Sequence, residues 1–155
     1  MAALTSDFLS QTRIVVAGVS RNPSTHGANA VYRRLKARGY EVFAVNPNAD
    51  TVEGDRAYRD LRSVPGLVDG VVIGTAAKHA SSIVRECQEL GISRVWMHAG
   101  AGESSVSPEA VDFCRAHDIS VIPGGCPLMF GRTADFGHRC LRWVLERTGV
   151  VPAGI

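Results

Sequence analysis

The segment Gly18-Val19-Ser20-Arg21-Asn22-Pro23-Ser24-Thr25-His26-Gly27 concentrates groups that bind an anion. Glycine lets backbone approach a ligand, and Ser20, Ser24 and Thr25 bring hydroxyls. Arg21 brings a guanidinium, and a helix opening at Gly27 adds free N–H groups and a positive dipole end. Phosphate is the anion such a turn suits, although an ordinary βα turn has the same composition. The familiar nucleotide fingerprints are missing. No glycine stands between Gly18 and Gly27, so there is no G-x-G-x-x-G, and the next apolar run closes on Asn46-Pro47 instead of an acid for a ribose hydroxyl. No Walker A sequence occurs, which excludes a P-loop kinase or GTPase.

Cys126 lies in Gly124-Gly125-Cys126-Pro127, just past another apolar run. A thiol there could be a redox handle or a nucleophile, and either role requires a thiolate stabilised by a cation or a helix N-terminus. No cation adjoins it in sequence, and the flanking glycines and proline also suit a backbone bend with the sulfur packed inward. His98 follows an apolar run and precedes the loop Ala99-Gly100-Ala101-Gly102-Glu103-Ser104-Ser105. It could meet a ligand or transfer a proton near neutral pH; a hydrogen-bonded structural role is the plainer reading. His26, His79, His117 and His138 are scattered, with no zinc-ligand spacing. No G-x-S-x-G elbow appears. No catalytic residue and no metal ligand is assigned.

These residues sit at the ends of a repeated βα pattern. Apolar runs at Arg13–Gly18, Glu41–Asn46, Gly70–Gly74, Arg94–Met97 and Ser120–Pro123 read as five strands. Helical spacing covers Gly27–Arg38 and His79–Leu90. Another helix begins at Ser107-Pro108-Glu109, with its N-cap hydroxyl, first-position proline and early acid, and a last one spans Asp135–Thr148. Thr51–Leu61 reads as a small extra strand and one helical turn. Strands too apolar to alternate are buried on both faces. The expectation is one α/β domain over residues 1–155: a doubly wound, mainly parallel five-stranded Rossmann-like sheet with helices on both faces. Ligands of such sheets lie at the carboxyl ends of the strands.

The composition is that of an ordinary globular protein, 45% hydrophobic and 21% charged with a net charge of +2. No basic stripe points to nucleic acid and no polybasic or long apolar segment points to a membrane. Met1–Arg13 lacks the features of a secretory signal. Cys87, Cys114, Cys126 and Cys140 never form C-x-x-C, and three of them fall at apolar helical positions, which favours free thiols and a cytoplasmic location. Arg132, His138, Arg139, Arg142 and Arg147 decorate the last helix, as a solvated face or as a docking surface for a protein partner or a second copy.

An ordered set of segments resembles the small CoA-binding domain family, related to the CoA-binding domain of the succinyl-CoA synthetase α subunit. The set comprises Val16-Ala17-Gly18-Val19-Ser20 with Asn22-Pro23, Gly39-Tyr40-Glu41-Val42 leading to Val45-Asn46-Pro47, Val95-Trp96-Met97-His98, and Gly124-Gly125-Cys126-Pro127. The resemblance covers Arg13 to Phe130. It implies a Rossmann-like fold holding coenzyme A or an acyl-CoA at the strand ends. Gly18, Val19, Ser20, Arg21, Asn22 and Pro23 would serve the phosphates, and Asn46, Pro47, Gly74, Thr75 and Ala76 would flank the adenosine. The sequence departs from such sites where a Lys or Arg often follows the second strand: here Asn48-Ala49-Asp50 follows Asn46-Pro47, leaving Lys78 and Arg21 as the nearest cations in sequence. His98, Cys126 and Pro127 complete the candidate edge.

The leading expectation is a binding module for CoA, without full ligase activity, because the synthetase relatives need a second domain that this length does not hold. The alternatives are an NAD(P)-dependent oxidoreductase and a thiol-based CoA redox protein using Cys126.

Overall fold

Ile14, Val15, Val16 and Ala17 have no polar side to turn toward water. In the computed structural model, which describes residues 1–22, 27–100 and 104–130, all four are at most 1% exposed. They form β1 (Arg13–Ala17), in the interior of a sheet completed by β2 (Glu41–Val45), β3 (Thr51–Val52), β4 (Asp55–Tyr58), β5 (Gly70–Ile73), β6 (Arg94–Met97) and β7 (Ser120–Pro123). The spatial order is β3-β4-β2-β1-β5-β6-β7. Every neighbouring pair is parallel except β3 with β4.

Alternate residues of the strands feed two cores. Val15, Ala17, Val71, Ile73, Val95 and Met97 pack on α3 (Ala80–Glu89) and α4 (Pro108–Ala116). Ile14, Val16, Val72, Trp96 and Ile122 pack on α1 (Ala2–Leu9) and α2 (Gly27–Ala37). Both faces are therefore covered, as an all-apolar parallel sheet requires. Ser107 caps α4 by accepting the Ala110 N–H at 3.3 Å, as its Ser-Pro-Glu start predicts.

The fold is the expected doubly wound α/β sheet, with seven strands in place of five. The difference lies in Thr51–Leu61, where no helical turn forms. Glu53 and Gly54, at φ +51° and +79°, make a two-residue turn that sets β3 antiparallel to β4, and β4 then pairs parallel with β2. A helix also occupies the N-terminal segment. Its Phe8 ring meets Trp96 edge-on at 5.5 Å, and Tyr40 donates to the Leu9 carbonyl at 2.6 Å. The helix expected over Asp135–Thr148, with its basic face, lies outside the described residues. Among the described residues no helix is long and apolar enough to cross a membrane.

The chain leaves β1 through α2, lays down β2 and β4 on one side, and returns to place β5 on the other. The reversal opens a crevice above the carboxyl ends of β1 and β5.

Candidate functional site

Backbone forms the floor of that crevice. Gly18 turns the chain at φ +97°, a conformation that L side chains rarely adopt. A methyl group there would lie 2.9 Å from the carbonyl carbon and oxygen of Gly74 and from Thr75 Cγ2. One on Gly74 would lie 2.6 Å from the Ala28 Cβ. The ends of β1 and β5 and the first turn of α2 thus meet without side chains between them. The glycine read in the sequence as freeing backbone for a ligand is required first by this packing.

The turn beyond Gly18 is held from α2. Asn29 is fully buried; its Oδ1 accepts the Ser20 N–H at 2.8 Å, and its Nδ2 donates to the Ser20 carbonyl at 2.8 Å and to Glu53 at 2.7 Å. Arg33 adds an ion pair to Glu53 at 3.3 Å, so the β3–β4 turn, α2 and the Ser20 turn form one polar network. The Ser20 N–H is therefore not a free ligand donor. Its hydroxyl accepts the Asn22 N–H at 3.0 Å, which leaves the O–H proton to donate. Val19 is fully buried and points away from solvent.

Asn46 closes the second side. Its Nδ2 donates to the Val19 carbonyl at 2.8 Å and its Oδ1 accepts the Asn48 N–H at 2.8 Å, tying the ends of β1 and β2 together. Between these elements and α3 lies a cleft of about 730 Å³, within the range of roughly 300–1,000 Å³ usual for small-molecule sites. Of the expected site residues, Gly18, Ser20, Asn46, Pro47, Gly74, Thr75 and Ala76 line it.

The other expected residues fall elsewhere. Arg21, Asn22 and Lys78 are exposed and do not line the cleft, and Pro23 lies outside the described residues. His98 is 6% exposed and packs beneath α2: a Cβ on Gly27 would sit 2.8 Å from its Cε1. Cys126 and Pro127 are buried in the core beneath α1 and α2, whereas Ala17, Val45 and Leu61 of the cleft belong to the core on the α3 side. Burial pushes the Cys126 thiol up to about 11, against smaller opposing pulls from the Leu128 backbone and Arg38. Gly124 and Gly125 take φ +100° and +71°, and the Trp96 indole donates to both carbonyls at 3.1 and 3.3 Å. Those glycines serve the backbone bend.

Sequence reading missed Asn29 and the far wall of the cleft. That wall consists of Arg59, Asp60 and Leu61 after β4, and of His79 just before α3 with Ser82, Ile83 and Glu86 on one of its faces. The 3-4-7 spacing along α3 was visible, but nothing local said that this polar edge would meet the loop after β4. That loop is braced by an Asp60–Ser63 turn, with the Ser63 N–H on Asp60 at 2.8 Å, and by the Arg62 N–H on Glu86 at 3.1 Å.

A family model described as CoA binding domain matches residues 12–132. The chain is 29% identical over 126 residues to the alpha subunit of ADP-forming acetate–CoA ligase II of Pyrococcus furiosus, covering 77% of this chain and 27% of that protein. It is 32% identical over 88 residues to ADP-forming acetate–CoA ligase II of Archaeoglobus fulgidus, covering 56% of this chain and 13% of that one. It thus spans well under a third of the length of the ligases it matches. A solved structure of a conserved hypothetical protein from Pyrococcus furiosus superposes with a TM-score of 0.63 at 28% identity, over 72% of this chain and 91% of that chain. The matched segment contains every strand of the sheet and the whole described cleft, and the chain belongs to the CoA binding domain family.

Proposed function

We propose that this chain binds coenzyme A or an acyl-CoA in the cleft above β1 and β5, as a binding module without full ligase chemistry. The observation that carries the reading is the position of the cleft: it lies at the strand-order reversal, within the segment that matches the CoA binding domain. The residues fit such a ligand. The Ser20 hydroxyl at the cleft and the positive dipole end of α2 suit the diphosphate. Leu61 and Ile83 give apolar walls for an adenine, with Asn48 and Thr75 at the polar rim. Bound CoA would supply a thiol able to carry an acyl group as a thioester; the protein's part is to hold and orient it. Gly18, Asn29 and Asn46 serve by shaping the turn.

The match takes in 27% and 13% of the two ligases, so only the holding of CoA is carried over from them to this reading. A nicotinamide dinucleotide has less behind it, because the end of β2 offers Asn46, with both side-chain ends engaged, in place of an acid. A redox role for Cys126 has less behind it too, since the thiol is buried away from the cleft and held protonated. A cytoplasmic setting is supported by the free cysteines Cys87, Cys114 and Cys126.

The test is native mass spectrometry of protein purified without added ligand, followed by thermal melting with CoA, NAD and NADP at equal concentration. A retained adduct of CoA mass and the largest melting shift with CoA are expected. Equal or larger shifts with a nicotinamide nucleotide would overturn the reading.

A further inference from the structure

One guanidinium at the cleft is left free. β4 ends at Tyr58, so Arg59 is the first residue past the carboxyl end of the strand outside β2. Among the described residues it is the one Lys or Arg that lines the cleft, and it has no hydrogen-bond or ion-pair partner. Its basic neighbours along the chain are occupied, Arg62 paired with Glu89 and Arg56 lying over the Tyr58 ring at 5.1 Å, and Lys78 is exposed outside the cleft lining. The backbone on either side of Arg59 is held. The Tyr58 carbonyl accepts the Asn46 N–H at 2.8 Å, and Leu61, 3% exposed, is anchored in the core. The two carboxylates on this wall, Asp60 and Glu86, each accept a backbone N–H, from Ser63 and from Arg62.

In sheets of this kind the adenosine ribose is read near the end of the strand beside β1. A free ribose hydroxyl is met there by an acid, and a phosphorylated ribose by an arginine. Here β2 ends in an asparagine whose amide is already used, and the first free charge outward is a cation. We propose that Arg59 recognises a phosphate monoester on the adenosine ribose, so that the chain selects the 3′-phosphorylated nucleotide, CoA, over dephospho-CoA. The proposal rests on the CoA reading above and names the group that sets its specificity. It supplies the cation that the residues after Asn46-Pro47 lack.

The experiment is isothermal titration of wild type, Arg59→Gln and Arg59→Lys with CoA, dephospho-CoA and NADP. Arg59 is exposed, so the variants should fold, and circular dichroism checks this. Wild type should bind CoA about tenfold or more tighter than dephospho-CoA, the scale of one charge-assisted hydrogen bond. Arg59→Gln should erase that preference by weakening CoA alone, and Arg59→Lys should keep part of it. Equal binding of CoA and dephospho-CoA by wild type, or an unchanged ratio in Arg59→Gln, would overturn the assignment while leaving the CoA reading in place. NADP binding as tight as CoA, with the same dependence on Arg59, would put the recognised phosphate at the 2′ position and overturn the selection of CoA. Failure of both CoA and dephospho-CoA to bind would remove the reading and the assignment together.

Discussion

Replacing Asn29 with alanine should unlock the Ser20 turn at a measurable cost in stability. The amide is fully buried and makes three hydrogen bonds, two to the Ser20 backbone at 2.8 Å and one to Glu53 at 2.7 Å. Its loss strands the Ser20 N–H and carbonyl in a half-buried position, at roughly 1 kcal/mol each, and removes a bond to a charged acceptor, at roughly 1.5 kcal/mol. Arg33 still contacts Glu53, and water entering the vacated space restores part of the rest. The expected net loss is about 3 kcal/mol, which for a chain of this size lowers Tm by roughly 6–12 °C. Asn29→Asp separates the two directions of the clamp. It keeps an acceptor for the Ser20 N–H but loses both donations and sets a second carboxylate beside Glu53. It should be no more stable than Asn29→Ala at neutral pH and should recover as the pH is lowered. Urea unfolding gives the stability, and titration with CoA gives the affinity, which should fall about tenfold or more as the turn loosens. An Asn29→Ala variant within about 0.5 kcal/mol of wild type would refute the argument, because surface substitutions alone fall in that range.

Three further outcomes are expected. Alkylation of the native protein should spare Cys126, whose thiol at about 11 is ionised in only about one molecule in ten thousand at pH 7; rapid labelling that CoA protects against would instead favour the redox alternative. Gly18→Ala should lose roughly 2–3 kcal/mol in a denaturant melt, since it strains a φ of +97° and drives a methyl into Gly74; wild-type stability would contradict that packing. Asp55 is held below the ordinary carboxyl value by hydrogen bonds from Lys36 and Tyr32. Its contribution is present above the unfolded-state value and is lost as the pH falls through the folded one. Asp55→Asn should therefore flatten the loss of stability of the wild type below about pH 4. Parallel acid melts check this, and identical acid profiles would refute it.

The strands of the central sheet were legible because each is an apolar run closed by glycine, proline or asparagine, and burial on both faces leaves no other use for such a run. The β3–β4 hairpin was not. Its first strand has two residues, and its turn is Glu-Gly, without the Asn or Asp that usually marks such a connection. Helix α1 was missed because only Thr5 and Phe8 of its eight residues are buried, too few to set a period. In the site, the strand-end rule located Gly18, Asn46 and Gly74 but gave the height of a residue along the sheet and not its face. His98 and Cys126 stand at strand ends too, yet they turn to the α2 side, away from the cleft. Arg59 and Ile83 come together only because the chain crosses back over β1 after β4, a long-range event with no local signature.

The close packing of Gly18 and Gly74 against each other and against the Ala28 methyl also limits how this site can diverge. A side chain added at either glycine meets atoms of Gly74, Thr75 or Ala28 at 2.6 to 2.9 Å, so those two positions tolerate almost no variation. Changes that alter the ligand without disturbing the strand ends fall on the rim, at residues such as Asn48, Arg59 and Ser82, which border the cleft outside the packed floor. A tightly packed base with an editable margin lets such a domain acquire a new ligand by exchanging a few exposed residues while the strand ends beneath stay as they are.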